Sequence, residues 1–411
     1  NLGVCYMTGK GVTKDEKKAV EYFQRAVEQG NARTLCNLGL CYIKGDGVEK
    51  DDSKAVKYFQ DAEKLGIVDA MTFLGSCYMD GQGVAQDCSK GIELWKKAAE
   101  KGNPRAMCNL GLCYMKGYGV TEDVSQAVRC FQNAEKLGSV DAVTFLGLCY
   151  MEGIGLAQDC SKGIELWKQA AEKGNTEAML KLGLSYMNGK GVARDYGKGI
   201  ELLNQAAEKG DTEAMRNLGL SYMNKERVVQ DYSKAIELLE QAAEKGDIAS
   251  MIEVGVCYRD GKGIDKDAVE ARKWLRFAAE RNDVRGMYEF GVFLEEVMYD
   301  DTWAMEWYKK AADNGYVEAM GRLGACYKRD RLYDLKDLTE AVRWLQQAVN
   351  LEDAEAMRQL GICYENGEGV VKDLSRALEL YQRAVAKNSA KAMVKLASWY
   401  EQGEAGLPQN L

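Results

Sequence analysis

Apolar and small residues recur along the chain in a fixed frame. LGLCY begins at Leu38, LGSCY at Leu74, LGLCY at Leu110 and Leu146, and LGLSY at Leu182 and Leu218. Related blocks begin at Leu2, Val254 and Phe290, so the first nine starts lie 36 residues apart. Leu323, Leu360 and Leu396 follow at intervals of 33, 37 and 36. A fixed period of this size marks an array of repeated supersecondary units. Within one period Ala106, Met107, Leu110, Gly111 and Tyr114 are spaced to share one face of a first helix. A mid-helix glycine such as Gly111 costs about 1 kcal/mol against alanine, so its return in nearly every copy predicts close helix–helix approach.

A G-x-G-[VIL] turn follows, as in Gly117-Tyr118-Gly119-Val120. Aspartate then stands 13 residues after the leucine, at Asp15, Asp51, Asp87, Asp123, Asp159, Asp195, Asp231, Asp267 and Asp373. A carboxylate there is placed to cap a second helix. In that helix two small residues seven apart, such as Gly91 and Ala98, flank a large one such as Phe59, Trp95 or Phe131. Gly30, Gly66 and Gly102 suit its C-terminal end.

The combined pattern, A…LG…Y…G-x-G-V…D…A…F…A-A-E-x-G, resembles the Sel-1-like repeat, a relative of the tetratricopeptide repeat, over essentially the whole chain. The resemblance implies an all-α, right-handed α-solenoid of antiparallel helix pairs, about eleven repeats of 36 residues spanning 1–411. The chain begins within a first helix and stops in what reads as an inter-helix loop, so a fragment of a longer protein is expected. Three loops depart from the pattern: Lys225-Glu226-Arg227 replace glycines, the loop at Val297-Met298-Tyr299 is shorter, and that at Arg329-Asp330-Arg331-Leu332 is longer. A bend or irregular zone is expected over 223–335. Residues 73–103 and 145–175 match at 26 of 31 positions, which points to duplication of a 72-residue unit.

Composition narrows the chemistry. The chain is 46% hydrophobic and 29% charged, a globular balance. With no histidine there is no imidazole base, no Ser-His or Cys-His pair and no imidazole metal ligand. A net charge of −8 argues against nucleic acid as a partner. No apolar run reaches membrane-spanning length. Gly3, Gly9 and Lys10 imitate a phosphate loop, but Gly11 stands where its hydroxyl should be, and the Lys10 position becomes Asp46, Gln82, Tyr118 or Ile154 in other copies. No cofactor and no metal are expected.

Eight of thirteen cysteines occupy the same place in LGxCY, where a small buried thiol packs well. Cys77 and Cys88 lie symmetrically about a turn, as do Cys149 and Cys160, so an antiparallel pair could bring each couple within bridging distance. Some cysteine-rich members of the resembled family bridge their helix pairs and are linked with β-lactam binding or hydrolysis. This chain departs from them, having one cysteine in most repeats and an odd total. The absence of a sequon and the reduced look of the thiols favour the cytoplasm.

The variable first-helix positions remain. The residue before the leucine runs Asn37, Phe73, Asn109, Phe145, Lys181 and Asn217 and then becomes mostly charged. The fifth after it is apolar through Met79, Met115, Met151 and Met187, then charged from Arg259 onward. In tetratricopeptide-like arrays the first helices line the concave face. These rows therefore suggest an apolar, Asn-dotted groove for a peptide or partner protein, with methionines either lining it or filling gaps between repeats. The expected function is a non-catalytic interaction scaffold or adaptor. The alternatives are a β-lactam-interacting protein and a structural spacer attached to a catalytic domain.

Overall fold

The computed structural model describes residues 2–226, 229–329 and 337–402, and among these there are helices and no strand. The chain divides into two compact units, 1–209 and 210–411. In the first unit the first helices are α1 (Leu2–Thr8), α3 (Arg33–Lys44), α5 (Val68–Asp80), α7 (Pro104–Lys116), α9 (Val140–Glu152) and α11 (Thr176–Asn188). They alternate with second helices α2 (Glu16–Glu28), α4 (Asp52–Lys64), α6 (Cys88–Glu100), α8 (Val124–Lys136), α10 (Cys160–Glu172) and α12 (Tyr196–Glu208). The second unit has first helices α13 (Thr212–Met223), α15 (Ile248–Asp260), α17 (Val284–Glu296), α19 (Val317–Tyr327), α21 (Ala354–Asn366) and α23 (Ala390–Gln402). Its second helices are α14 (Tyr232–Glu244), α16 (Ala268–Glu280), α18 (Asp301–Asp313), α20 (Leu338–Asn350) and α22 (Leu374–Ala386). Within each unit the first helices pack on their own second helices, and the second helices on the first helix of the next repeat, so each unit is a helical solenoid.

The expected close approach is present. A side chain added at Gly75 would lie 2.5 Å from the Trp95 indole, so α5 and α6 can touch only without it. The Trp95 indole N–H, buried by that approach, donates to the Thr72 carbonyl at 2.9 Å. Gly147, Trp167 and Thr144 repeat the arrangement. The second glycine of the turn serves another end. Gly83 has φ +71°, and a Cβ there would strike the Asp52 backbone of the preceding repeat. The turn is thus a joint between repeats as well as within one.

Helix starts follow the aspartates. Asp87 accepts from the Lys90 backbone N–H at 3.0 Å, and Asp15, Asp51, Asp123, Asp159, Asp195, Asp231 and Asp373 cap in the same way. Asp267 caps α16. Two caps fall outside the 13-residue spacing. Asp300 caps α18 after a short loop in which Tyr299 has φ +55°, and Asp337 caps α20. Arg227, Asp330, Arg331, Leu332 and the final loop from Gly403 lie outside the described residues.

Candidate functional site

Successive residues of a helix are rotated by about 100°. Counted from the leucine of each block, the fifth residue before, the one before, the second after and the sixth after therefore share a sector about 60° wide. In α5 these are Asp69, Phe73, Ser76 and Asp80; in α7 they are Arg105, Asn109, Leu112 and Lys116. All are half-buried or exposed, whereas Leu74, Gly75 and Tyr78 on the opposite side of α5 are buried. Between α5 and α7 the sector is indented by a cleft of about 500 Å³. Ser76, Asp80, Asn109, Leu112, Lys116 and Tyr118 line it, and the buried Met79, Trp95 and Cys113 complete the wall.

Tyr118 comes from the loop after α7 but is tied across the cleft. Gln86 donates to the Met79 carbonyl at 2.7 Å and to the Tyr118 hydroxyl at 2.9 Å, and that hydroxyl donates to the same carbonyl at 3.3 Å. The side chains of Asp80, Asn109 and Lys116 have no hydrogen-bond or ion-pair partner among the described residues. The cleft thus offers an amide, a carboxylate and an ammonium beside an apolar wall.

The residues singled out by sequence divide unequally. Asn37, Phe73, Asn109, Phe145 and Lys181 are half-buried in the first unit, and Asn217 is half-buried in the second, where it donates to the Glu213 carbonyl at 2.8 Å. Phe73 stacks on Phe59 with ring centroids 5.4 Å apart, and Phe145 packs on Phe131 at 5.1 Å. Each phenyl therefore spends one face on the second helix of the preceding repeat. The methionine row needs correction as a groove wall. Met79, Met151 and Met187 are only 2%, 1% and 3% exposed. They fill the space over Gly91, Gly163 and Gly199, while Met115, opposite Ala127, stays half-buried. The sequence held that signal: methionine is fully buried where the first turn of the facing second helix carries glycine instead of alanine. Ser76, Leu112, Lys116 and Tyr118 were not singled out, although the sector rule finds the first three.

The second unit treats the same positions differently. A cleft of about 650 Å³, bordered by Leu220, Met223, Asn224, Gln230 and Glu253, occupies the same register near its start. From Arg259 onward, charged residues replace methionine and bridge to the next first helix. Arg259 pairs with Glu289 at 2.7 Å, Glu295 with Arg322 at 3.4 Å, and Glu365 with Lys395 at 2.8 Å. Glu295 is buried and also accepts from the Tyr308 hydroxyl at 2.6 Å and from Arg329. Burial opposes its charge, but the hydrogen bonds from Tyr308 and Arg329 outweigh that, and its pKa is held below the ordinary carboxylate value.

All thirteen cysteines are free thiols, and the pairings considered for Cys77 with Cys88 and Cys149 with Cys160 are not formed. Cys88 faces the next repeat, against Gly119 and the Tyr118 hydroxyl, and Cys160 lies beside Gly191 with its thiol 3.8 Å from the Met151 carbonyl. Burial pushes Cys36, Cys41, Cys77, Cys108, Cys113, Cys149 and Cys257 up to about 11. Such thiols are poor nucleophiles at neutral pH. Among the described residues no group of three acidic or thiol side chains is arranged to hold a metal, and no helix is long and apolar enough to cross a membrane.

Comparison with known proteins agrees with this architecture. A crystal structure of a protective antigen from uropathogenic Escherichia coli strains, displaying an SLR fold, is 28% identical over 98% of this chain and 90% of its own, with a TM-score of 0.59. A Sel1 repeat protein from Oxalobacter formigenes is 25% identical, covering 75% of this chain and 90% of its own, with a TM-score of 0.57. A search of curated proteins gave no match. The Sel1 repeat profile matches residues 1–31, 32–67, 68–103, 104–139, 140–175, 176–211, 212–247, 248–283, 286–316, 317–353, 354–389 and 390–411. Matched in this way from end to end, the chain belongs to the Sel1 repeat family.

Proposed function

We propose that this chain is a non-catalytic interaction scaffold, and that the first-helix face of its first unit receives an extended segment of a partner protein. The Sel1 repeat fold is typical of protein-interaction scaffolds. The observation that carries the reading is a contrast between equivalent positions. In the first unit Asn109, Asp80 and Lys116 stay unpaired around a cleft, whereas in the second Glu289, Arg322 and Lys395, equivalent to Asn109, and Asp260 and Glu296, equivalent to Asp80 and Lys116, are held in ion pairs. An asparagine offers donor and acceptor together, as an extended peptide backbone requires. The lack of histidine and the high pKa of the buried thiols speak for a role without catalysis.

Selection of displayed twelve-residue peptides on the full chain, followed by Kd measurement, tests this. Asn109→Ala with Lys116→Ala should weaken the selected peptides about tenfold, each lost contact being worth about 0.5–1.5 kcal/mol. Failure to select any peptide, or Kd values unchanged in the double variant, would sink the proposal.

A further inference from the structure

Resting on that reading, we infer that the segment bound by the first unit carries charge alternating in sign about every three residues, with apolar side chains in its basic stretches. The exposed ends of the first-helix sector alternate strictly over four repeats. Arg33 and Lys44 flank Asn37 on α3, Asp69 and Asp80 flank Phe73 on α5, Arg105 and Lys116 flank Asn109 on α7, and Asp141 and Glu152 flank Phe145 on α9. All eight charged residues are exposed. The alternation has the two-repeat period of the 72-residue duplication and ends at α11, where Glu177, Lys181 and Asn188 mix the signs.

Three features turn this pattern into a statement about the ligand. The four positive and four negative charges cancel, so a uniformly acidic or basic segment gains at two helices what it loses at the other two. Helix layers lie about 10 Å apart, and an extended chain advances about 3.3 Å per residue. Each helix is therefore met by about three residues, and the whole stripe by about twelve. The Debye length at physiological salt, about 8 Å, is shorter than one layer, so a bound chain senses each helix separately and not the stripe's average. The centre of each acidic helix is Phe73 or Phe145, an apolar contact flanked by carboxylates. Arg105 already lies over the Phe73 ring at 5.4 Å, a contact that a basic ligand residue can reproduce. Asp69 and Asp141 accept from Asn103 and Asn175, and Glu152 pairs with Lys190, so part of the acidic set is held in position in the free protein.

The test uses two synthetic peptides of identical composition on the full-length chain, read by fluorescence anisotropy at 0.1 M salt. One is E-S-E-K-L-K-E-S-E-K-L-K; the other collects its charges into blocks, E-S-E-E-S-E-K-L-K-K-L-K. The alternating peptide should bind at least about tenfold more tightly, since four exposed ion-pair sites contribute roughly a factor of two each. Arg105→Glu with Lys116→Glu should remove that preference, and replacing the peptide's third triplet by K-S-K should restore it; circular dichroism confirms that the exposed substitutions leave the fold intact. If the blocked isomer binds as tightly, or the restored pair stays weak, the charge register is wrong while display-selected peptides still uphold the scaffold reading. If those selected peptides also fail to bind, the scaffold reading falls with it.

Discussion

Single residues set how closely the helices approach. Gly75 leaves room only for the Trp95 indole, so Gly75→Ala should lose about 1–2 kcal/mol, overpacking outweighing the gain in helix propensity. A fall in urea midpoint would show it, and an unchanged midpoint would contradict the packing account. Gly91 faces the Met79 thioether, with Cγ and Sδ each 2.8 Å from an added Cβ. Gly91→Ala should push Met79 outward toward the half-buried state of Met115, and peroxide should then oxidise Met79 faster, as followed by mass spectrometry. An equal oxidation rate would mean that glycine is not what seats Met79. The recurring LG pair was legible in sequence as a packing motif. The methionine row was harder to read, because a buried and a lining methionine look alike until the residue facing them across the helix pair is known. Phe73 and Phe145 carry a similar double duty. Each packs on a core phenyl, so their truncation to alanine weakens the repeat as well as any contact with a ligand.

At the scale of elements, each helix pair closes through an aspartate cap and a glycine turn, both readable from spacing. Asp300 and Asp337 were hidden because loop length changes moved them out of frame while their capping role stayed. The ion pairs of the second unit were hidden for another reason: Arg259 and Glu289 are 30 residues apart, and only stacking makes them neighbours. Their consequence is a pH dependence. The pKa of Glu295 is lowered in the folded chain, so its contribution is present above its ordinary value of 4.5 and is lost as pH falls through the folded pKa. The urea midpoint should therefore drop between pH 7 and pH 3.5 by more in the wild type than in Glu295→Gln. Equal drops would show that the Tyr308–Arg329–Arg322 surroundings do not favour the charged carboxylate. At pH 7, Glu295→Ala should cost about 2–4 kcal/mol, because it strands a buried hydroxyl and two guanidinium groups.

At the scale of the molecule, the two units share one repeat but use its first-helix sector in opposite ways. The first keeps Asp80, Asn109 and Lys116 unpaired around an open cleft, and the second commits Glu289, Arg322 and Lys395 to ion pairs between its repeats. The family and the helical array were legible in the sequence because they rest on periodicity. The location of the open face was only half legible, because it depends on which side chains find partners across repeats. The most direct test is hydrogen exchange on the full chain, with and without a display-selected peptide. Added protection is expected in 69–80, 105–116 and 141–152, with little change in 284–296, 317–327 and 354–366. Protection confined to those latter helices, or none in the first unit, would contradict the account.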